Sequence, residues 1–470
     1  MTARDPGPRM TAAEILAARR RRLGPSLSLS YRTPLHLVRG EGAYLYDAAG
    51  RAYLDGVNNV AHVGHAHPRV VEAGIAQMRV LNTNTRYLHE TVIRYAERLT
   101  ALLPDHLEVC FFTNSGSEAN ELALRLARAA TGRPDVATVA VAYHGNTQRL
   151  VEISPYKFNG PGGAGQRDDV QVVPLPDRYR GTYRGDGAEV GPAYLADARR
   201  VLDDLAATGH PAGAMIAEAI PSVAGQIVPP AGWLAGLFDA ARAVGAVPIA
   251  DEVQVGFGRV GSAVWAFDAQ AARPDIVTMG KPIGNGHPLG AVVTTRPIAD
   301  AFNNGMEYFN TFGGNPVSAA IGLAVLDVIA DEGLQEHARV TGERLLAGLR
   351  EVAIRRQPIG DVRGAGLFLG FELVRDRDTR EPDAELATDL VNVAAERGIL
   401  LSTDGPDHNV IKIKPPMVFS AADADRLVET IDSVLGEIAA GQGRSAVSSR
   451  PPGAMPGLPT AARGTRIGRR

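Results

Sequence analysis

The chain of 470 residues is 45% hydrophobic and 21% charged, a globular composition long enough for two or more domains and a large core. A formal net charge of −3 gives no global field that would draw it to nucleic acid or a membrane surface. No apolar run approaches the roughly 20 residues that span a bilayer, no charged start with an apolar stretch marks a secretory leader, and Cys110 as the single cysteine excludes an internal disulfide, so a cytoplasmic protein is expected.

In chain order, the first ten residues read as disordered, and Arg19 to Arg22 reads as a solvated helix face rather than a nucleic-acid arm. Short strand-like stretches at 43–46 and 52–54 are expected to join a small domain completed later in the chain. A loop over 58–68 leads into a helix at Pro68; its His62, His65 and His67 lack the spacing and acidic or thiol partners of a metal site, so no metal is expected. Val92, Tyr95, Ala96, Leu99, Leu102 and Leu103 form one helical stripe. Apolar runs at 109–113, 136–141, 170–175, 214–218, 247–251, 276–279 and 291–294 read as strands, alternating with helices at 118–130, 194–207 and 233–244. Several runs are almost wholly apolar, as expected when both sheet faces are covered, which predicts a mostly parallel α/β sheet wrapped by helices.

The pattern changes after Asn315-Pro316. A long helical region over 317–355, a glycine-punctuated strand-like segment over 362–374, a further helix, a strand over 410–413 and a final helix over 421–438 predict a smaller α+β domain. The expected organisation is an N-terminal segment (1–65) contributing to the small domain, a large domain (66–316), the C-terminal small domain (317–440) and a disordered tail (441–470).

Two residues at strand ends carry the chemistry. Asp251 closes one apolar run, and Lys281 stands just past another, between Gly280 and Pro282. Parallel strands that finish together bring such residues to one rim of the sheet, where α/β proteins build their sites. A lysine there can hold an aldehyde cofactor as a Schiff base, and a buried acid can hold a protonated pyridine ring. Ser115 and Glu118 fit a helix capping box, and Gly116 with the Ser115 and Ser117 hydroxyls leaves donors at a positive helix end suited to an anion. No Gly-Lys-Ser/Thr follows, so this is not a P-loop. Tyr143, after another strand, either packs on the sheet or stacks on a flat cofactor. Gly256 to Gly261 matches a dinucleotide fingerprint in form, but Trp265 and Phe267 follow where small residues are needed, so a glycine-rich surface loop is expected instead.

Taken together, 58–65, 113–121, 251–261, 278–288 and 311–316 resemble the class III aminotransferases, pyridoxal-phosphate enzymes of the aspartate-aminotransferase fold (fold type I), over roughly residues 20–440. The resemblance implies a large domain with a mostly parallel seven-stranded sheet plus a smaller α+β domain. It implies pyridoxal 5'-phosphate bound through Lys281 as a Schiff base, Asp251 on the ring nitrogen, Val253 against the ring, Gln254 on the ring hydroxyl and Tyr143 stacked on it. Ser115, Gly116 and Ser117 would hold the phosphate, with Thr311 reaching it from a neighbouring subunit, so a homodimer or dimer of dimers is implied.

The stretches 154–158, 176–181, 404–406 and 412–417 are similar to the ethanolamine-phosphate and phosphohydroxylysine phospho-lyases. Many class III transaminases carry an arginine in the arm before Pro-Pro, suited to a substrate carboxylate, and this chain has Lys412 there. The resulting expectation is a lyase that eliminates phosphate and ammonia from a phosphorylated amine. The alternative is a class III aminotransferase moving an amino group from an amine or amino acid to a 2-oxo acid.

Overall fold

The computed structural model describes residues 10–441, so the expected disorder of the first residues and of the tail lies outside the described residues, apart from Met10 and Gly441. The helix Ala12–Arg22 opens on a closed capping box between Thr11 and Glu14 and carries Arg19 to Arg22 in its last turn. An antiparallel meander follows: β1 (Leu37–Glu41), β2 (Tyr44–Asp47) and β3 (Ala52–Asp55).

The large sheet comprises β4 (Val109–Thr113), β5 (Val136–Val139), β6 (Val170–Val173), β7 (Ala214–Glu218), β8 (Val247–Asp251), β9 (Ile276–Met279) and β10 (Gly290–Thr294). Their order is β4-β10-β9-β8-β7-β5-β6, with β10 antiparallel to both neighbours and the remaining pairs parallel. Both faces are covered. Ile216, Ile249 and Ile276 pack with Leu122, Ala123 and Leu126 of the helix Gly116–Thr131. On the opposite face, Met215, Ala217, Ala250 and Val277 pack with Leu234, Leu237 and Phe238 of the helix Trp233–Ala243. This two-sided burial is why the strands read as continuous apolar runs instead of alternating ones.

The C-terminal region adds β11 (Ile359–Ala365), β12 (Phe368–Asp376), β13 (Glu381–Pro382), β14 (Ile399–Leu400), β15 (Ser402–Asp404) and β16 (Val410–Ile413). Strands β11, β12, β16 and β15 form one antiparallel sheet, with β13 pairing on β12. The short β14 pairs in parallel with β3 and so ties the N-terminal meander to the C-terminal region. The helices Leu334–Arg355 and Ala421–Ala439 share the core beneath these strands.

Three sequence expectations need correction. The helical region over 317–355 is two helices, Pro316–Asp331 and Leu334–Arg355, broken where Gly333 takes φ +59°. The segment over 362–374 is a tight hairpin between β11 and β12, not one strand. The Gly256 to Gly261 loop is buried rather than on the surface. A Cβ on Gly261 would stand 2.6 Å from the Arg339 Cα, and Phe257 meets Trp265 edge to face at 4.9 Å between ring centroids. The glycines serve close packing against the helix Leu334–Arg355.

Candidate active site

Parallel register brings three ionisable groups to one rim. Glu218, last in β7, pairs with Asp251, last in β8, which in turn pairs with Thr278 near the end of β9. Lys281 follows as the first residue of a single 3-10 turn, Lys281–Gly284. Its φ of +20° is sparsely populated for a residue with a side chain, a strain of order 1–3 kcal/mol that packing must hold. The packing is visible in two glycines. A Cβ on Gly280 would lie 2.9 Å from Val253 Cγ1 and 3.1 Å from the Gly116 backbone, and one on Gly116 would lie 2.7 Å from the same Val253 atom. Gly116, Val253 and the Gly280-Lys281 step therefore form one close-packed cradle.

Asp251 is buried and its carboxylate is fixed from three sides. Oδ2 accepts from Asn120 Nδ2 and from His144 Nδ1, each at 2.8 Å, and Oδ1 accepts from the Val253 N–H at 3.1 Å. Asn120 in turn accepts from Thr278 Oγ1 at 2.6 Å and also donates to the His144 carbonyl at 2.7 Å. With Nδ1 donating to a carboxylate, the other ring nitrogen of His144 is free to accept from Thr138 Oγ1, 3.3 Å away. Burial, then the neighbouring Asp251, pushes the Glu218 carboxyl up to about 7. One Glu218 oxygen accepts from the Ser222 N–H, and Oε1 is buried without a partner among the described residues. Burial lowers the Lys281 amine below its ordinary value, against the opposing pull of Asp251 and Glu218. Among the described residues its Nζ makes no hydrogen bond or ion pair. Glu252 is different: it faces the protein interior, caps the Ala266 and Phe267 N–H groups and is raised to about 8 by burial.

The helix Gly116–Thr131 points its N-terminus at the cradle. Ser115 Oγ accepts from the Glu118 N–H at 3.1 Å, but the Glu118 carboxylate reaches one residue further back, to the Asn114 N–H and side-chain amide. The expected capping box is thus only half closed, and among the described residues the Gly116 and Ser117 N–H groups remain available. Ser117 Oγ donates to Asn146 Oδ1 at 3.0 Å. Tyr143 is half-buried and meets Tyr156 edge to face, with Lys157 Nζ 5.4 Å from both ring centroids. Thr311 is exposed; its neighbour Asn310 anchors the loop to Glu118 at 2.9 Å, which sets Thr311 beside the helix start but not within the cradle.

The opposite wall is the 410–417 arm. Lys412 Nζ lies 3.5 Å from Asp404 Oδ2, which also accepts from Gln226 Nε2 at 3.0 Å. Lys414, two residues on and therefore on the same face, is buried and donates to Gln254 Oε1 at 2.8 Å. The arm is anchored by the buried Arg259, which donates to the carbonyls of Leu367 and Pro415 and to His62 Nδ1. His62 Nε2 then donates to the Phe257 carbonyl, while His65 and His67 pair separately with Asp55 and Glu332.

The structure thus gathers Asp251, Lys281, Gly116 and Val253 at one point, with Ser115, Ser117, Tyr143, Gln254 and Lys412 around them. Sequence reasoning missed Glu218, Asn120, His144 and Lys414. Glu218 was open to discovery, since it ends the strand run over 214–218 just as Asp251 ends its own. Lys414 shares the i, i+2 alternation of Lys412. Asn120 lies in the 113–121 stretch and His144 stands next to Tyr143, but only the fold shows that both reach Asp251.

Comparison with known proteins adds the family. Residues 28–435 match the model described as Aminotransferase class-III. An alanine–glyoxylate aminotransferase 2-like protein of Drosophila melanogaster is 51% identical over 425 residues, 89% of this chain and 86% of that protein. An ethanolamine-phosphate phospho-lyase homolog of Caenorhabditis elegans is 41% identical over 435 residues, 90% of this chain and 93% of that protein. A phospholyase from Arthrobacter, solved in complex with phosphoethanolamine, superposes with a TM-score of 0.85 at 42% identity, covering 90% of this chain and 99% of its own.

Proposed function

The chain belongs to the class III aminotransferase family and is an enzyme whose cofactor is pyridoxal phosphate, and we propose that its reaction is the elimination of phosphate and ammonia from a phosphorylated amine such as phosphoethanolamine or phosphohydroxylysine. The residues fit the cofactor on several counts. Asp251 offers a buried, braced carboxylate; Gly116 and Gly280 let Val253 and the Lys281 turn pack within contact of the helix start, where a Cβ would collide; Glu218 Oε1 is a buried acceptor without a partner among the described residues. In this reading Lys281 makes the covalent attachment and Asp251 faces the ring nitrogen. Val253 and Tyr143 would lie against the ring, Gln254 would face the ring hydroxyl, and Ser115, Gly116 and Ser117 would take the phosphate, joined by Thr311 of a second subunit.

When bound, pyridoxal phosphate supplies an electron sink for charge that develops on the substrate carbon next to nitrogen. Asp251, kept in place by Asn120 and His144 and shielded from water, holds the opposing positive charge of the ring nitrogen. Lys281 Nζ takes the proton from the substrate carbon; its lowered pKa leaves more of it as free amine near neutral pH. Lys412, a point charge on a flexible stem, attracts the phosphate on the adjacent carbon. The carbon–oxygen bond breaks with its electron pair leaving on phosphate, and water replaces nitrogen. Phosphoethanolamine and water then give acetaldehyde, ammonia and inorganic phosphate.

The observation that carries the lyase reading is the charge of the substrate wall. Lys412 and Lys414 lie on the arm beside Lys281 and Gln254, and Asp404 is the carboxylate paired with Lys412. The resemblance to the Arthrobacter phospholyase adds support. A second reading, amino-group transfer, is favoured by the 51% identity to the alanine–glyoxylate aminotransferase 2-like protein. The test is to supply phosphoethanolamine without any 2-oxo acid. Catalytic release of phosphate and ammonia supports elimination; conversion of the cofactor to its amine form after one turnover, with no phosphate released, supports transfer.

A homodimer or dimer of dimers is part of the proposal. It is supported by an apolar groove of about 530 Å³ along the helix Pro68–Met78, lined by Val70, Val71, Ile75, Met78 and Ile321, and by the exposed Tyr87, Leu88, Met306 and Phe312. A cytoplasmic setting is also proposed, on the strength of a cysteine count of one, which leaves no internal disulfide.

A further inference from the structure

Lys414 is a buried lysine whose direct partners are neutral. Its Nζ donates to Gln254 Oε1 at 2.8 Å and reaches Ser222 Oγ at 3.5 Å. Among the described residues no carboxylate lies within ion-pair distance, because Asp404, the acid that acts on it, is occupied by Lys412 and Gln226. Burial, with Lys412, Lys281 and Arg259 nearby, lowers its pKa to about 7. Keeping an amine in such a place is costly, so its retention calls for a task.

The task is legible in Gln254. A side-chain amide has one accepting end and one donating end, and an ammonium is donor only. In its ammonium form, held below about pH 7, Lys414 therefore accepts no orientation of Gln254 except the one that turns Oε1 toward it. Asn59 Nδ2 reinforces that choice from the N-terminal segment, donating to the same oxygen at 3.1 Å. With Oε1 committed to two donors, Nε2 is turned away from both. Three parts of the chain converge on one amide: the loop before β16's Pro-Pro exit, the segment after β3, and the turn after β8.

We propose that Lys414 is a positioning residue that locks the Gln254 amide so that its N–H donor, and not its carbonyl, is presented to the cofactor's ring oxygen. The inference rests on the proposed seat of the cofactor, with Gln254 at the ring hydroxyl, and not on which product is released. A fixed donor at that oxygen favours its deprotonated form and lowers the pH at which the bound chromophore titrates. Without the lock, Gln254 can turn its carbonyl inward, and that stabilisation is lost.

The experiment is a visible-absorbance pH titration of the holoenzyme in wild type, Lys414→Met, Lys414→Gln, Gln254→Leu and the Lys414→Met/Gln254→Leu double variant. A hydrogen bond to a charged oxygen corresponds to about one pH unit. Lys414→Met is expected to raise the midpoint by about that much, and Lys414→Gln, which keeps a donor toward Oε1, by less than about a third of it. In the Gln254→Leu background the Lys414→Met shift should fall away, because the lysine acts through the amide. A shift that persists undiminished in that background, or a wild-type midpoint in Lys414→Met, overturns the proposal. Should Lys414→Met fail to fold, Lys414→Leu takes its place: a raised midpoint that falls away in the Gln254→Leu background supports the lock, and a wild-type midpoint contradicts it. Failure of the phosphate-release assay would leave all of these midpoints where they are, so the two readings fail separately.

Discussion

Around Asp251, donors and acceptors close on one another: Asn120, His144 and Thr278 each spend their polar atoms within the same small network. Across the cleft, the 410–417 arm holds Lys412, paired with Asp404, and Lys414, bonded only to neutral groups and lowered by burial to about 7. The first wall is finished before any ligand arrives and suits a charge that is always present. The second wall keeps an amine with no carboxylate of its own and suits an anionic ligand that comes and goes. On this account the family chemistry resides in the first wall and the choice of substrate in the second.

The largest effect should come from removing the residue that both walls serve. Lys281→Ala is expected to lower turnover by at least about 10³-fold, since a positioned base alone is worth about 10²–10⁴. Near-normal turnover would mean that another amine does the work. Next is Asp251→Ala, expected to cost about 10²-fold in kcat while part of the cofactor stays bound, as for loss of one preorganised electrostatic partner. It should also lower the Tm, because Asn120 and His144 lose their acceptor, a penalty of about 1–3 kcal/mol. Unchanged kcat would contradict the role of the braced wall.

A smaller and more selective effect is expected on the other side. Lys412→Met should raise KM for phosphoethanolamine about tenfold, about 1.4 kcal/mol, with little change in KM for an amine that lacks phosphate. The same preference should weaken in high salt in the wild type, because Lys412 is partly exposed. Equal losses for both substrates would erase the distinction between the walls.

The smallest effect concerns Glu218. Its folded pKa of about 7 lies above its ordinary value of 4.5, so the folded state binds the proton more tightly than the unfolded chain. Stability from this group is fully present below about 4.5 and is lost as pH rises through about 7. Glu218→Gln should therefore flatten the fall of Tm across that window in the cofactor-free protein. An unchanged slope would place the titration elsewhere.

Much of this was legible in the sequence because it is written locally. Both strand ends that carry Asp251 and Lys281, and the Ser115 cap that opens the next helix, follow from apolar runs and capping chemistry. What escaped depends on distant register or on packing. His144 reaches Asp251 across 107 residues of chain, and the strand end that singles out its neighbour Tyr143 does not show that contact. The Gly256 to Gly261 loop reads as surface because glycine is common there, yet it is buried by the helix Leu334–Arg355, which sequence proximity does not reveal. The Gly333 break was missed because the apolar pattern runs on past it on both sides.

The proposed chemistry depends most directly on one covalent attachment. Borohydride reduction of the holoenzyme, followed by peptide mass mapping, should find the reduced pyridoxyl group on Lys281 and on no other lysine. Adduct on Lys412 or Lys414 with Lys281 unmodified, or no adduct in protein that retains the cofactor, would contradict it.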